Sequence, residues 1–190
     1  MFNHSTAQDL GAEPNSGHRS VARLAGVNGW PVITTNYDCF PETAAAQSGY
    51  AVKLKVPSSS ARAGQLAPAP GTLTLVKIHG TAEDYKTVRS TVSDLSRLAL
   101  ILDQLSFTPA PRRLLLIGYS GRDFDLFPYA ARLAESADVL WVDPQLGEDH
   151  RARSLVRATA FKGPWDVLAT ALTPGRPPNA AGFRCLAGCG

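Results

Sequence analysis

The sequence predicts an α/β domain built on a parallel, Rossmann-like sheet with helices on both faces. Three observations carry this. Short apolar runs alternate with helical patterns along the chain. One run, Arg113–Ile117, is apolar from Leu114 onward, as a strand covered on both faces should be. Four runs end in polar or glycine-rich motifs, and an open α/β sheet builds its ligand site at the carboxyl ends of its strands. The 190 residues, 44% of them hydrophobic, suit a single domain with a sizeable core.

Taken in order, residues 1–17 are polar, with Gly, Pro, Asn and Ser, and read as a flexible lead-in to a domain over 18–172. Val21, Leu24 and Ala25 fall at helical spacing within 19–27, and Gly26 and Gly29 supply a stop. Residues 32–35 form a short strand, with Pro31 at its start. A helix over 41–47 opens on Pro41 and stops at Gly49. An edge strand is expected over 50–56 and a surface loop over 57–71, where Ser, Ala, Pro and Gly dominate. The alternating, β-branched run 73–78 is a strand. A helix over 93–105 carries Leu95, Leu98, Ala99 and Leu102 on one face, with Thr91 or Ser93 as its cap. A strand at 113–117, a helix over 123–134 and a buried strand at 139–142 follow. A last strand at 160–162 and a last helix over 165–172 precede a Pro-, Gly- and Ala-rich tail, 173–190, expected to be disordered.

This order places four motifs on one edge of the sheet: Thr34-Thr35-Asn36-Tyr37-Asp38, Lys77-Ile78-His79-Gly80, Gly118-Tyr119-Ser120-Gly121-Arg122-Asp123 and Val142-Asp143-Pro144. The Asn36 amide has donors and acceptors for a ribose hydroxyl, a carboxamide or a water, although Asn and Asp at a strand end also make ordinary turns. An imidazole such as that of His79 takes up a proton near neutral pH, and a satisfied structural histidine is the commoner alternative. Gly80 lets the backbone approach a ligand closely. Lys77 reads as a solvent-facing strand residue. Gly118 and Gly121 allow tight turns, Ser120 or Asp123 can cap the following helix, and a helix start attracts phosphate. A carboxylate at Asp143 can accept from adenosine ribose hydroxyls, or it can make an Asp-Pro turn. Asp125 and Asp138 read as solvated surface charges.

The net charge of +3 comes with scattered Arg residues, which disfavours a nucleic-acid partner. Three cysteines, Cys39, Cys185 and Cys189, make neither a disulfide framework nor a zinc site, so no metal is expected; Cys39 reads as a small residue opening a helix. No apolar stretch approaches the ~20 residues that span a bilayer, and the first 14 residues lack the pattern of a signal peptide, so a cytoplasmic protein without a membrane partner is expected.

Together, 34–38, Ile78-His79-Gly80 and Gly118-Tyr119-Ser120-Gly121 with Asp123, Leu126 and Pro128 resemble the sirtuin-like family, above all its bacterial branch. The helix with His18 and Leu24 is also similar, and the resemblance covers roughly 18–172. It implies a Rossmann-like fold that binds NAD as substrate. Some members of the family remove acyl groups from lysine; others hydrolyse NAD, often in bacterial antiphage defence. By the resemblance, Asn36 would hold the nicotinamide ribose or a water, with Thr35 beside it and Asp38 setting the loop. His79 would be the general base, next to Gly80. Gly118, Tyr119 and Ser120 would line the phosphate and ribose path, and Asp143 would lie near the adenosine ribose.

Two features depart from the family pattern. The usual first strand with Gly-Ala-Gly-x-Ser, which clamps the pyrophosphate, has no counterpart; Gly11-Ala12 lacks the strand and the following Gly and Ser. The chain therefore reads as truncated at its N-terminus. The zinc module of lysine deacylases, with its two Cys pairs, has no counterpart either. The leading expectation is an NAD hydrolase. The alternatives are a non-catalytic remnant serving as an interaction module and an NAD-dependent lysine deacylase. A homo-oligomer and an effector domain stay open as partners.

Overall fold

The computed structural model describes residues 12–57, 65–88, 91, 102, 105–107, 110–122, 126–148, 150–155 and 157–172. The fold is α/β, and every pairing between its strands is parallel. The chain divides into two compact units, Met1–Thr108 and Pro109–Gly190.

The first unit opens with helix α1, Ser16–Asn28, which begins three residues before the start that its apolar spacing predicts. The cause is the cap: the Asn15 side chain accepts from the His18 backbone while the His18 ring accepts from the Asn15 backbone, a reciprocal pair that satisfies two otherwise orphaned amides. The helix ends at Gly29, whose φ of 67° is left-handed and whose N–H reaches the Ala25 carbonyl. Helix α2, Phe40–Gln47, carries Pro41 in its first turn and buries Ala44 and Ala45.

Strands β1, Val32–Thr34, β2, Ala51–Lys55, and β4, Thr72–Lys77, form one sheet in the order β1-β4-β2. The register sets Thr34 opposite Lys77 and Ala51 opposite Thr72. The central strand β4 is buried from Leu73 onward, whereas β2 is the exposed edge that the sequence predicts. Ala22 and Ala25 of α1, Ala44 and Ala45 of α2, and Leu73 and Leu75 of β4 form the core, and the small alanines let both helices lie close to the sheet. In a two-residue parallel pair, β3 at Gln65–Leu66 lies within the expected loop and β5 at Ser106–Phe107 lies just past the expected helix, where no strand is expected, and Leu66 is buried.

In the second unit, β6, Arg113–Ile117, β7, Asp138–Val142, and β8, Ala158–Phe161, pair in the order β6-β7-β8. β7 is the buried centre, and β6 is an edge whose apolar residues are only partly buried. Trp141, Leu146 and Ala152 form the core, with Leu116, Tyr119, Phe127, Leu155 and Ala160 packed on it. Helix α3 is Leu126–Ala134, and helix α4, Trp165–Leu172, has the predicted bounds. β8 begins two residues earlier than predicted, because its pairing with β7 starts at Ala158↔Val139.

Most of the expected helix over 93–105, with Ser93 as one of its two expected caps, together with residues 123–125 and 173–190, lies outside the described residues. No helix among the described residues is long and apolar enough to cross a membrane. Asp138 is exposed and pairs with Arg157 at 3.0 Å, a solvated surface contact as expected.

One expectation is corrected outright: Lys77 does not face solvent. It is 0% exposed, because β4 is covered on both faces and pairs with a strand on each side.

Candidate functional site

The four motifs fall at strand carboxyl ends, two in each unit. In the first unit the register continues past the sheet: Thr34 pairs with Lys77, and the Ile78 N–H donates to the Thr34 carbonyl at 3.2 Å. Asn36 and His79 therefore leave the sheet at matching positions, each two residues beyond the last pair. Adjacent strands lie about 4.8 Å apart, so their backbones emerge side by side.

Asn36 is exposed, and its backbone N–H donates to Thr34 Oγ1 at 3.1 Å; Thr35 is half-buried. Tyr37 is 37% exposed, and its ring lies 6.3 Å, centroid to centroid, from that of the half-buried His79. Asp38 sets the turn into α2, its Oδ1 accepting from the Phe40 N–H at 3.1 Å. The Ala82 N–H donates to the Tyr37 carbonyl at 2.9 Å, tying the loop after β4 to the loop after β1.

The buried Lys77 amine lies beneath this junction. It donates to the Asp38 carbonyl at 2.5 Å, to Thr81 Oγ1 at 3.3 Å and to the Tyr37 carbonyl at 3.5 Å. Its counter-ion is Glu42 on α2, with Oε1 at 2.6 Å. That contact is an ion pair by distance alone, since neither Glu42 oxygen makes a hydrogen bond of good geometry. Cys39, also buried, has Sγ at 3.8 Å from the amine, and burial raises its thiol pKa above the ordinary value. Cys39 is the residue just before α2, which is the small helix-opening position expected of it.

Gly80 has φ of +100°, and an ideal Cβ there would lie 2.3 Å from the Thr87 carbonyl oxygen. The close approach is made by the chain's own backbone, so local packing alone demands glycine.

In the second unit, Gly118 has a left-handed φ of 60°, no atom of the described residues beyond its chain neighbours lies within 4 Å of where its Cβ would stand, and its N–H donates to the Val142 carbonyl at 2.9 Å. The turn that follows is held from β7: Trp141 Nε1 donates to the Tyr119 carbonyl at 2.7 Å, and the two rings stack 5.5 Å apart. The exposed Ser120 accepts from the Arg122 N–H at 3.4 Å. Asp143 is buried and makes a turn, its Oδ1 accepting from the Gln145 N–H at 2.7 Å. Its Oδ2 lies 3.2 Å from His150 Nε2. His150 Nδ1 accepts from the Ala152 N–H, so a neutral His150 carries its proton on Nε2 and donates to Asp143. A ribose at Asp143 would have to share the carboxylate with these two donors.

Sequence reasoning missed Lys77, Glu42, Trp141 and His150. Lys77 alone left a signal, a charged residue closing a run of Leu73, Thr74, Leu75 and Val76 that is too apolar for an edge strand. Among the described residues, no three His, Cys, Asp or Glu side chains cluster so as to hold a metal ion.

The exposed Asn36 carboxamide and the half-buried His79 imidazole each offer a hydrogen-bond donor and an acceptor at neighbouring strand ends. A family model described as a SIR2-like domain matches residues 31–158, which include the second to fourth motifs and the first in full. No curated protein matches the chain.

Proposed function

Because that match covers more than half of its length, the chain belongs to the family of SIR2-like domains, which bind NAD, and we propose that it consumes NAD by hydrolysing the nicotinamide–ribose bond. The observation that supports this most is the placement of Asn36 and His79 at matching positions beyond the adjoining strands β1 and β4. Breaking the bond builds positive, oxocarbenium-like character on the ribose. Water adds to the anomeric carbon, the bond to the nicotinamide nitrogen breaks, and one proton is released. Asn36 would orient the water or the ribose hydroxyls, and His79 would accept the proton as general base.

Nicotinamide release from NAD tests the proposal. His79→Ala and Asn36→Ala are each expected to slow it by about 100-fold or more. Equal rates in the wild type and both variants would overturn the assignment. A role in antiphage defence accompanies this reading, and phage plating on bacteria making the wild-type or the His79→Ala chain checks it.

A second reading, a non-catalytic interaction module, is favoured by Asp143, whose carboxylate is engaged by His150 and Gln145. Calorimetric titration with NAD separates the two, since micromolar binding contradicts a remnant. Lysine deacylation has the least support, as no Cys pairs of a zinc module stand within the matched residues.

A further inference from the structure

We infer that Lys77 is a positioning residue, a buried cation that fixes the Asn36 loop against the His79 loop. The inference rests on the proposed hydrolase reading for its kinetic consequence, though not for its structural one. A fully buried ammonium is costly unless it is paired and its protons are satisfied. Here the acceptors come from both loops: the Tyr37 and Asp38 carbonyls after β1, and Thr81 Oγ1 after β4. Glu42 supplies the opposite charge from α2. Asn36 immediately precedes the two clamped carbonyls, and His79 lies between Lys77 and Thr81. The amine therefore bridges the two segments at the point where their separation decides how Asn36 faces His79. Displacement of a positioned group by about 1 Å is enough to slow catalysis strongly.

Lys77→Met combined with Glu42→Gln removes both charges together and so avoids stranding one of them. The first readout is amide hydrogen exchange by NMR. The Ala82 N–H, which crosses between the loops to the Tyr37 carbonyl, should exchange at least about tenfold faster. The Ile78 N–H, which belongs to the β1–β4 ladder, should be unchanged. The second readout is nicotinamide release, where kcat should fall about tenfold or more with KM held within about threefold. Lys77→Arg, which keeps the charge, should recover part of both effects. If the double variant does not fold, Lys77→Arg carries the test, and its Ala82 exchange should lie above that of the wild type.

A folded variant with unchanged Ala82 exchange overturns the inference, as does equal acceleration at Ala82 and Ile78, which marks general loosening. Unchanged kcat with accelerated Ala82 exchange overturns the kinetic role. A wild type that releases no nicotinamide defeats the hydrolase reading, while the exchange result still decides the positioning role.

Discussion

Gly80 and Lys77 stand on either side of His79, and neither has the role that its residue type first implies. Gly80 admits the Thr87 backbone, with φ of +100° and a carbonyl oxygen 2.3 Å from where a Cβ would stand. Gly80→Ala should therefore destabilise the protein by about 2 kcal/mol or more, from left-handed strain plus a backbone clash that no rotamer relieves. Chemical denaturation measures this, and a loss below about 0.5 kcal/mol would show that the Thr87 segment yields easily. Lys77 was hidden for a different reason. A lysine in an alternating run ordinarily snorkels to water, and only the strand order, with β4 between β1 and β2, closes that route. The strand-end placement of Asn36 and His79 was legible, because each follows directly on a short apolar run. The surroundings of Lys77 were not, since Glu42 and the Tyr37 and Asp38 carbonyls become its neighbours only after folding.

At the scale of elements, local signals set much of the pattern and non-local pairing set the rest. α2 and β6 were readable from Pro41 and from the leucine run. β3 was not, because Gln65–Leu66 becomes a strand only by pairing with Ser106–Phe107, some forty residues away. The start of α1 was missed because its cap uses a histidine at the third helical position, where a Glu or Gln is the usual signature. That substitution makes the cap sensitive to pH. His18 has a pKa below the ordinary 6.5, chiefly through burial, with Asp38 opposing and Arg19 adding to the shift. The unfolded chain thus takes up this proton at a higher pH than the folded chain. Stability attributable to His18 is present above pH 6.5 and is lost as pH falls from there through the folded value. Protonation at Nδ1 also ends its acceptance of the Asn15 N–H. Denaturation midpoints at about pH 7.5 and 5.5 should differ more for the wild type than for His18→Gln, which keeps an acceptor in the box without titrating. Asn15→Ala should cost about 1 kcal/mol at either pH.

At the scale of the whole molecule, family membership points to NAD, and ligand-linked stability tests whether this chain holds it. A ligand that binds only the folded state stabilises it by about 2.7 kcal/mol at a hundred times its Kd. For a chain of this size that corresponds to a rise in thermal midpoint of about 5–10 °C. ADP-ribose, the product of the proposed hydrolysis, is the better probe, because it carries the ribose and pyrophosphate and is not turned over. Each unit has its own core, so a thermal scan can show two transitions, and a ligand held at Asn36 and His79 should raise that of the β1-β4-β2 unit. A rise with ADP-ribose that Asn36→Ala abolishes would mean that the strand-end groups hold the ligand. If neither NAD nor ADP-ribose at millimolar concentration moves either transition, Asn36 and His79 are not a nucleotide site in this chain. The engagement of Asp143 by His150 and of the Gly80 space by Thr87 would then mark, in each unit, a sheet whose strand ends serve their own packing.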